Sequence, residues 1–108
     1  MIDSSLRDII EREYDKSIDD KRAKLVLQSY YKYGSARDNF GSGRGDALAS
    51  ADLCIEKFKK TRNTEYLMDA MNYLMFRIMF PMDGDHFEYT GSDGSAGTVG
   101  TPINMEEE

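Results

Sequence analysis

The 108-residue chain has one cysteine, one histidine, no tryptophan, and no lysine or arginine after residue 77. The lone Cys54 has no partner in the chain for a disulfide, which points to a reducing compartment. One histidine, His86, is too few for a Ser–His–Asp site to be argued, and Cys54 has no basic activator near it in sequence. No apolar run reaches the roughly 18 residues that a membrane span takes. The opening MIDSSL lacks the basic start and apolar centre of a secretory signal. The expectation is a soluble, cytoplasmic, single-domain protein without a membrane association.

Aromatic residues make up 11% of the chain and methionines number seven, enough for a small core and too much for global disorder. A domain this short buries only roughly 60–65% of its unfolded surface. Charge is divided unevenly. Residues 1–80 hold fourteen Lys/Arg against thirteen Asp/Glu, a net of +1, whereas residues 81–108 hold seven acids and no base, a net of −7. An acidic protein gains nothing from counterion release on a nucleic acid, so direct nucleic-acid binding is not expected. A protein partner with a basic groove is the fitting complement.

Residues 63–81, NTEYLMDAMNYLMFRIMFP, organise the chain. Between Tyr66 and Phe80 only Asp69, Asn72 and Arg77 are strongly polar. A helix apolar nearly all round belongs in the interior, so three weaker helices are expected to pack around it. Residues 3–15 read as the first, with Leu6, Ile9, Ile10 and Tyr14 as its stripe. Ser17 and Asp20 resemble a capping box for a second helix running to Tyr33, stopped by Gly34. Nothing in the pattern decides whether these two are separate. Residues 35–45, SARDNFGSGRG, form a loop, and Asp46 caps a third helix that ends near Thr61. Thr64 is placed to cap the fourth, and Pro81 ends it. The short link makes 46–61 and 65–80 an antiparallel hairpin. The expected fold is all-α and four-helix bundle-like. A helical domain, 1–82, is followed by an acidic, glycine-rich segment, 83–108, expected to be mobile from about Thr90 when the protein is alone.

Four groups of residues invite a chemical reading. GSGRGD, with Arg44, leads into a helix N-terminus as phosphate sites do, but no strand precedes it, and Asp46 opposes an anion. Asp52 and Glu56 on the third helix, and Glu65 and Asp69 on the fourth, are i, i+4 pairs that would hold Mg²⁺ if both faces turned inward. This resembles the all-α nucleotide pyrophosphohydrolases of the MazG kind, whose acids are paired at i, i+3 instead. A solvated face is the simpler account. Asp69 and Asn72 lie inside the apolar helix, and a buried Asp69 calls for a partner: a lysine or arginine from the first two helices, or tyrosine hydroxyls, because Arg77 is rotated roughly 80° away. The simpler accounts are a buried polar network that fixes helix register, or exposure along Glu65, Asp69 and Asn72. The acidic end, lastly, carries Asp83, Asp85, Glu88, Asp93, Glu106, Glu107 and Glu108 together with Phe87 and Tyr89, more apolar anchors than a solubilising tail needs. Around His86 these acids have neither EF-hand nor zinc spacing.

Residues 33–81 resemble small acidic proteins encoded by phages and integrative elements of Gram-positive bacteria, through Tyr33-Gly34, Asn39-Phe40, Asp46-Ala47-Leu48, Asn63 to Leu67 and Asp69 to Phe76. The resemblance implies no catalytic residue or cofactor. It implies a context in which accessory proteins bind and block host defence enzymes, CRISPR nucleases among them. The leading expectation is therefore a non-enzymatic, anti-CRISPR-like inhibitor acting in the host cytosol. It would dock its acidic segment on a basic, nucleic-acid-processing protein. The alternatives are an Mg²⁺-dependent nucleotide binder or hydrolase using Arg44 with the four helical carboxylates, and a dimeric interaction module joined through the fourth helix.

Overall fold

A computed structural model describes residues 4–89. Four α-helices, α1 (Ser4–Glu13), α2 (Lys16–Tyr33), α3 (Ala47–Thr61) and α4 (Glu65–Met79), are joined with one π-helical turn (Arg37–Gly41) between α2 and α3. No strand occurs among the described residues, and the fold is all-α and bundle-like.

Local chemistry explains where each helix starts and stops. Asp15 leaves helical geometry (φ −110°, ψ 102°), which divides α1 from α2. Its Oδ1 accepts from the Ser17 backbone N–H (2.9 Å) and hydroxyl (2.6 Å). The cap of α2 is thus Asp15 and not the expected Ser17–Asp20 pair, because the helix begins a residue before Ser17. Gly34, at φ 90°, ends α2 in a backbone conformation that residues with a Cβ rarely adopt. Asp46 caps α3 as expected, accepting from the Ala49 N–H at 3.0 Å. Arg62 turns the chain out of α3 at φ 62°. At α4 the expected cap fails: Thr64 already has helical angles, and Asn63 Oδ1 instead accepts from the Glu65 N–H at 3.0 Å.

α3 and α4 pack through small side chains. Ala51, Cys54 and Ala70 form the buried cluster, flanked by Ile55 and Tyr73, so the two backbones approach closely. α2 lies on another side of α4, held by a polar lock. Arg22 Nε donates to Asn72 Oδ1 (3.0 Å), and Asn72 Nδ2 donates back to the Arg22 carbonyl (3.2 Å). Asn72 is 5% exposed, so both its polar atoms are matched inside the protein. Asn72 is thus part of a buried polar contact between α2 and α4.

α4 is central in having two packing partners, but it is not surrounded. α1 makes no packing comparable to α2 or α3 on α4, and Ile9 and Ile10 stay nearly half exposed. The apolar residues of α4 point in every direction, yet the described residues supply neighbours on two sides only. Met71, Leu74 and Ile78 therefore remain exposed, Ile78 at 79%. With Leu67 they recur at i, i+4, i+7 and i+11, one continuous stripe.

Candidate functional site

α2, the π-helical turn, α3 and α4 enclose a groove of about 890 Å³ on the side of α4 away from that stripe. The π-helical turn builds one wall. It brings Phe40 onto Phe76, stacked at 5.5 Å between ring centroids, and edge-on to Tyr73 at 5.8 Å. Gly45 makes this possible. Its N–H donates to the Asn39 carbonyl at 2.7 Å, and a Cβ there would lie 2.8 Å from that oxygen and 2.9 Å from the Phe40 ring. Tyr33 from the end of α2 and Tyr66 from the start of α4 add two more rings.

The charged groups of the groove differ in how they are satisfied. Arg44 donates to the Asp38 carbonyl at 3.3 Å. The Lys32 ammonium sits over the Tyr33 ring (5.2 Å), and that of Lys57 over the Tyr66 ring (5.9 Å). The carboxylates are otherwise. Asp69 is half-buried and has no hydrogen bond or ion pair among the described residues. Burial holds its carboxyl above the usual range and the Glu65 charge adds to this, against a weaker pull from Lys57. The partner expected from α2 does not come, since Arg22 is committed to Asn72. Arg77 indeed turns elsewhere. Beside Asp69 lies Cys54, buried, its thiol pushed up first by burial and then by the Asp69 charge, which fits a core residue and not a nucleophile.

Of the carboxylates singled out on the helical hairpin, Glu65 and Asp69 line the groove with Arg44, whereas Asp52 and Glu56 do not. Both stay exposed, and Glu56 pairs with Lys59 at 3.0 Å. The four carboxylates therefore do not converge. Among the described residues no three His, Cys, Asp or Glu side chains are grouped to hold a metal ion.

The start of the acidic segment is tied to the helical body. Asp85 accepts from Arg77 Nε (2.5 Å) and Nη2 (3.2 Å), and from the Met82 N–H (3.1 Å), closing a turn whose Gly84 has φ 92°. The Arg77 guanidinium and the Met82 N–H together hold the Asp85 carboxyl below the usual range. Asp85 is thus engaged within the chain. Asp83 and Glu88 remain exposed, with Glu88 3.6 Å from His86 Nε2. Phe87 and Tyr89 are 86% and 85% exposed, their rings 6.4 Å apart. Asp93, Glu106, Glu107 and Glu108, and the stretch from Thr90 expected to be mobile, lie outside the described residues.

The aromatic wall was not anticipated. Phe40 lies in a glycine-rich stretch that reads as plain loop, and only the spacing of Tyr30 and Tyr33 at the end of α2 hints at rings gathering there. None of the helices among the described residues is long and apolar enough to cross a membrane. Set against protein-family models, curated proteins and solved structures, the chain matches none of them.

Proposed function

We propose that the protein is a non-catalytic binding module that docks on a basic, nucleic-acid-processing protein and blocks it, as the likeness to small proteins of phages and integrative elements suggests. The observation that carries this reading is the charge division: a helical body of net +1 bearing a terminal segment of net −7. An acidic segment with exposed rings at Phe87 and Tyr89 offers a basic groove both ion pairs and apolar anchors. The Arg77–Asp85 pair supports it further, because it fixes the point on the body from which that segment leaves.

The test compares the full chain with a chain ending at residue 89, each immobilised and exposed to a nuclease-treated bacterial lysate. The full chain captures a basic protein whose nucleic-acid cleavage it suppresses. Capture is lost when salt rises from about 0.1 M to about 1 M, where screening shortens from about 10 Å to about 3 Å. The shorter chain keeps its helical circular dichroism and captures nothing. Equal capture by both chains removes residues 90–108 from the mechanism and leaves Asp83 to Tyr89 as its only acidic part.

A second reading, a homodimer through α4, is favoured by one observation, the stripe of half-buried Leu67 with exposed Met71, Leu74 and Ile78, which carries no charge. The nucleotide-hydrolase reading draws no comparable support, since Asp52 and Glu56 stand outside the groove that Glu65 and Asp69 line.

A further inference from the structure

We propose that the groove between α2, the π-helical turn, α3 and α4 receives an arginine side chain of the basic partner, its guanidinium held by Asp69 and Glu65 among the tyrosine rings. This deepens the binding reading given above and rests on it.

Charge complementarity identifies the occupant. Each cation of the groove already has a contact, Arg44 on a carbonyl and Lys32 and Lys57 over rings, whereas the Asp69 carboxylate has no hydrogen bond or ion pair among the described residues. A half-buried carboxylate loses hydration, and no hydrogen bond or ion pair among the described residues returns it. Its raised proton affinity is the same deficit seen from the proton's side. An anionic ligand would deepen the deficit and a neutral donor would return a hydrogen bond alone; a cationic donor returns both hydrogen bond and charge. Glu65 stands one helical turn before Asp69 on the same face, so the two carboxylates present oxygens to one entering cation. The walls select among cations. Tyr66 and Tyr73 offer ring surface, on which a planar, weakly hydrated guanidinium packs while its fork meets a carboxylate; a compact ammonium does only the second. Lys57 is the competitor. Its charge pulls on Asp69, and its position over Tyr66 is the one a guest would contest.

The test titrates acetyl-Gly-Arg-Gly-amide into the isotope-labelled full chain and follows amide and tyrosine-ring resonances. Saturable shifts are expected at Glu65, Tyr66, Asp69 and Tyr73. The lysine peptide should bind more weakly, and the glutamate peptide should give no saturable shift. Asp69→Asn should weaken the arginine peptide by about tenfold or more, the scale of a lost charge-assisted contact. Lys57→Met should strengthen it, and Asp52→Asn, outside the groove, should leave it unchanged. A saturable response that survives Asp69→Asn, or none with any peptide, overturns the proposal. The chain ending at residue 89 separates this outcome from the fate of the broader reading. It keeps the groove and must still bind the arginine peptide, whether or not residues 90–108 prove necessary for capturing a partner.

Discussion

Replacing Asn72 with alanine tests the link between α2 and α4 most directly. Two hydrogen bonds disappear. One is charge-assisted, from Arg22 Nε, and is worth roughly 1.5–3 kcal/mol; the other, to the Arg22 carbonyl, is worth roughly 0.5–1.5 kcal/mol. Part of that loss is recovered. The Arg22 side chain is 18% exposed and keeps Asp19 at 3.7 Å and Met75 Sδ at 3.6 Å, so it is not stranded. The net cost is about 2 kcal/mol, which for a domain of this size lowers Tm by about 8–16 °C. Thermal unfolding followed at 222 nm measures it. The decisive comparison is the pair Arg22→Met with Asn72→Leu. Removing both polar side chains and filling the space with apolar groups lifts most of the desolvation cost that either single change leaves behind, only the backbone carbonyl of residue 22 being kept. The double variant should therefore melt close to the wild-type protein and well above Asn72→Ala. A double variant no more stable than Asn72→Ala, or an Asn72→Ala loss under about 0.5 kcal/mol, would refute the lock as the tie between these helices.

At Gly45 an added methyl group meets a backbone oxygen 2.8 Å away, one that cannot retreat without losing the bond it accepts from the Gly45 N–H. Gly45→Ala should destabilise by about 1–3 kcal/mol and alter the near-ultraviolet signal of the Phe40–Tyr73 contact, with helix content kept; an unchanged aromatic signal counts against the groove wall. The Asp85 turn should respond to acid in one direction only. Its carboxyl is held low in the folded chain, so its contribution is present at neutral pH and is lost as pH falls through that lowered value, below the ordinary carboxylate range. The Met82 and Asp85 amide resonances report the loss, and Arg77→Ala should produce the same shifts at neutral pH with little change in Tm; amide positions indifferent to both would deny the turn its ion pair.

Much of this architecture is legible in the residues, and the failures have physical causes. Glycine at 34, aspartate at 46 and proline after 80 mark helix ends because each acts on its own backbone, without tertiary help. The caps at Asp15 and Asn63 were missed because neighbouring serines and threonines are equally good acceptors, and only the precise start of the helix decides among them. The apolar excess of α4 points to burial on all sides, which the described residues do not supply. Hydrophobicity reports that a face needs cover; it does not count how many helices arrive. The site divided similarly. Asp69 stood out as a carboxylate in an apolar helix, but the groove around it depends on Phe40 crossing from the π-helical turn, a contact over more than thirty residues of sequence separation that no local pattern encodes.

The uncovered sides of α4 make opposite demands on solvent, and this separates the two readings of the protein in one experiment. Docking of the acidic segment and of a guanidinium at Asp69 is attraction between unlike charges, and added salt weakens it. Association through Leu67, Met71, Leu74 and Ile78 withdraws apolar surface from water, and sulfate, excluded from protein surfaces, strengthens it. Light scattering across a sodium sulfate series should therefore find the mass rising with salt if α4 joins two copies, over the range in which partner capture falls. Leu74→Glu places a charge in the middle of the stripe and should hold the protein monomeric while leaving capture intact, since Leu74 does not line the groove. A mass equal to the monomer throughout, in a chain that still captures its partner, would reduce the stripe to surface that helices α1 and α2 simply fail to reach.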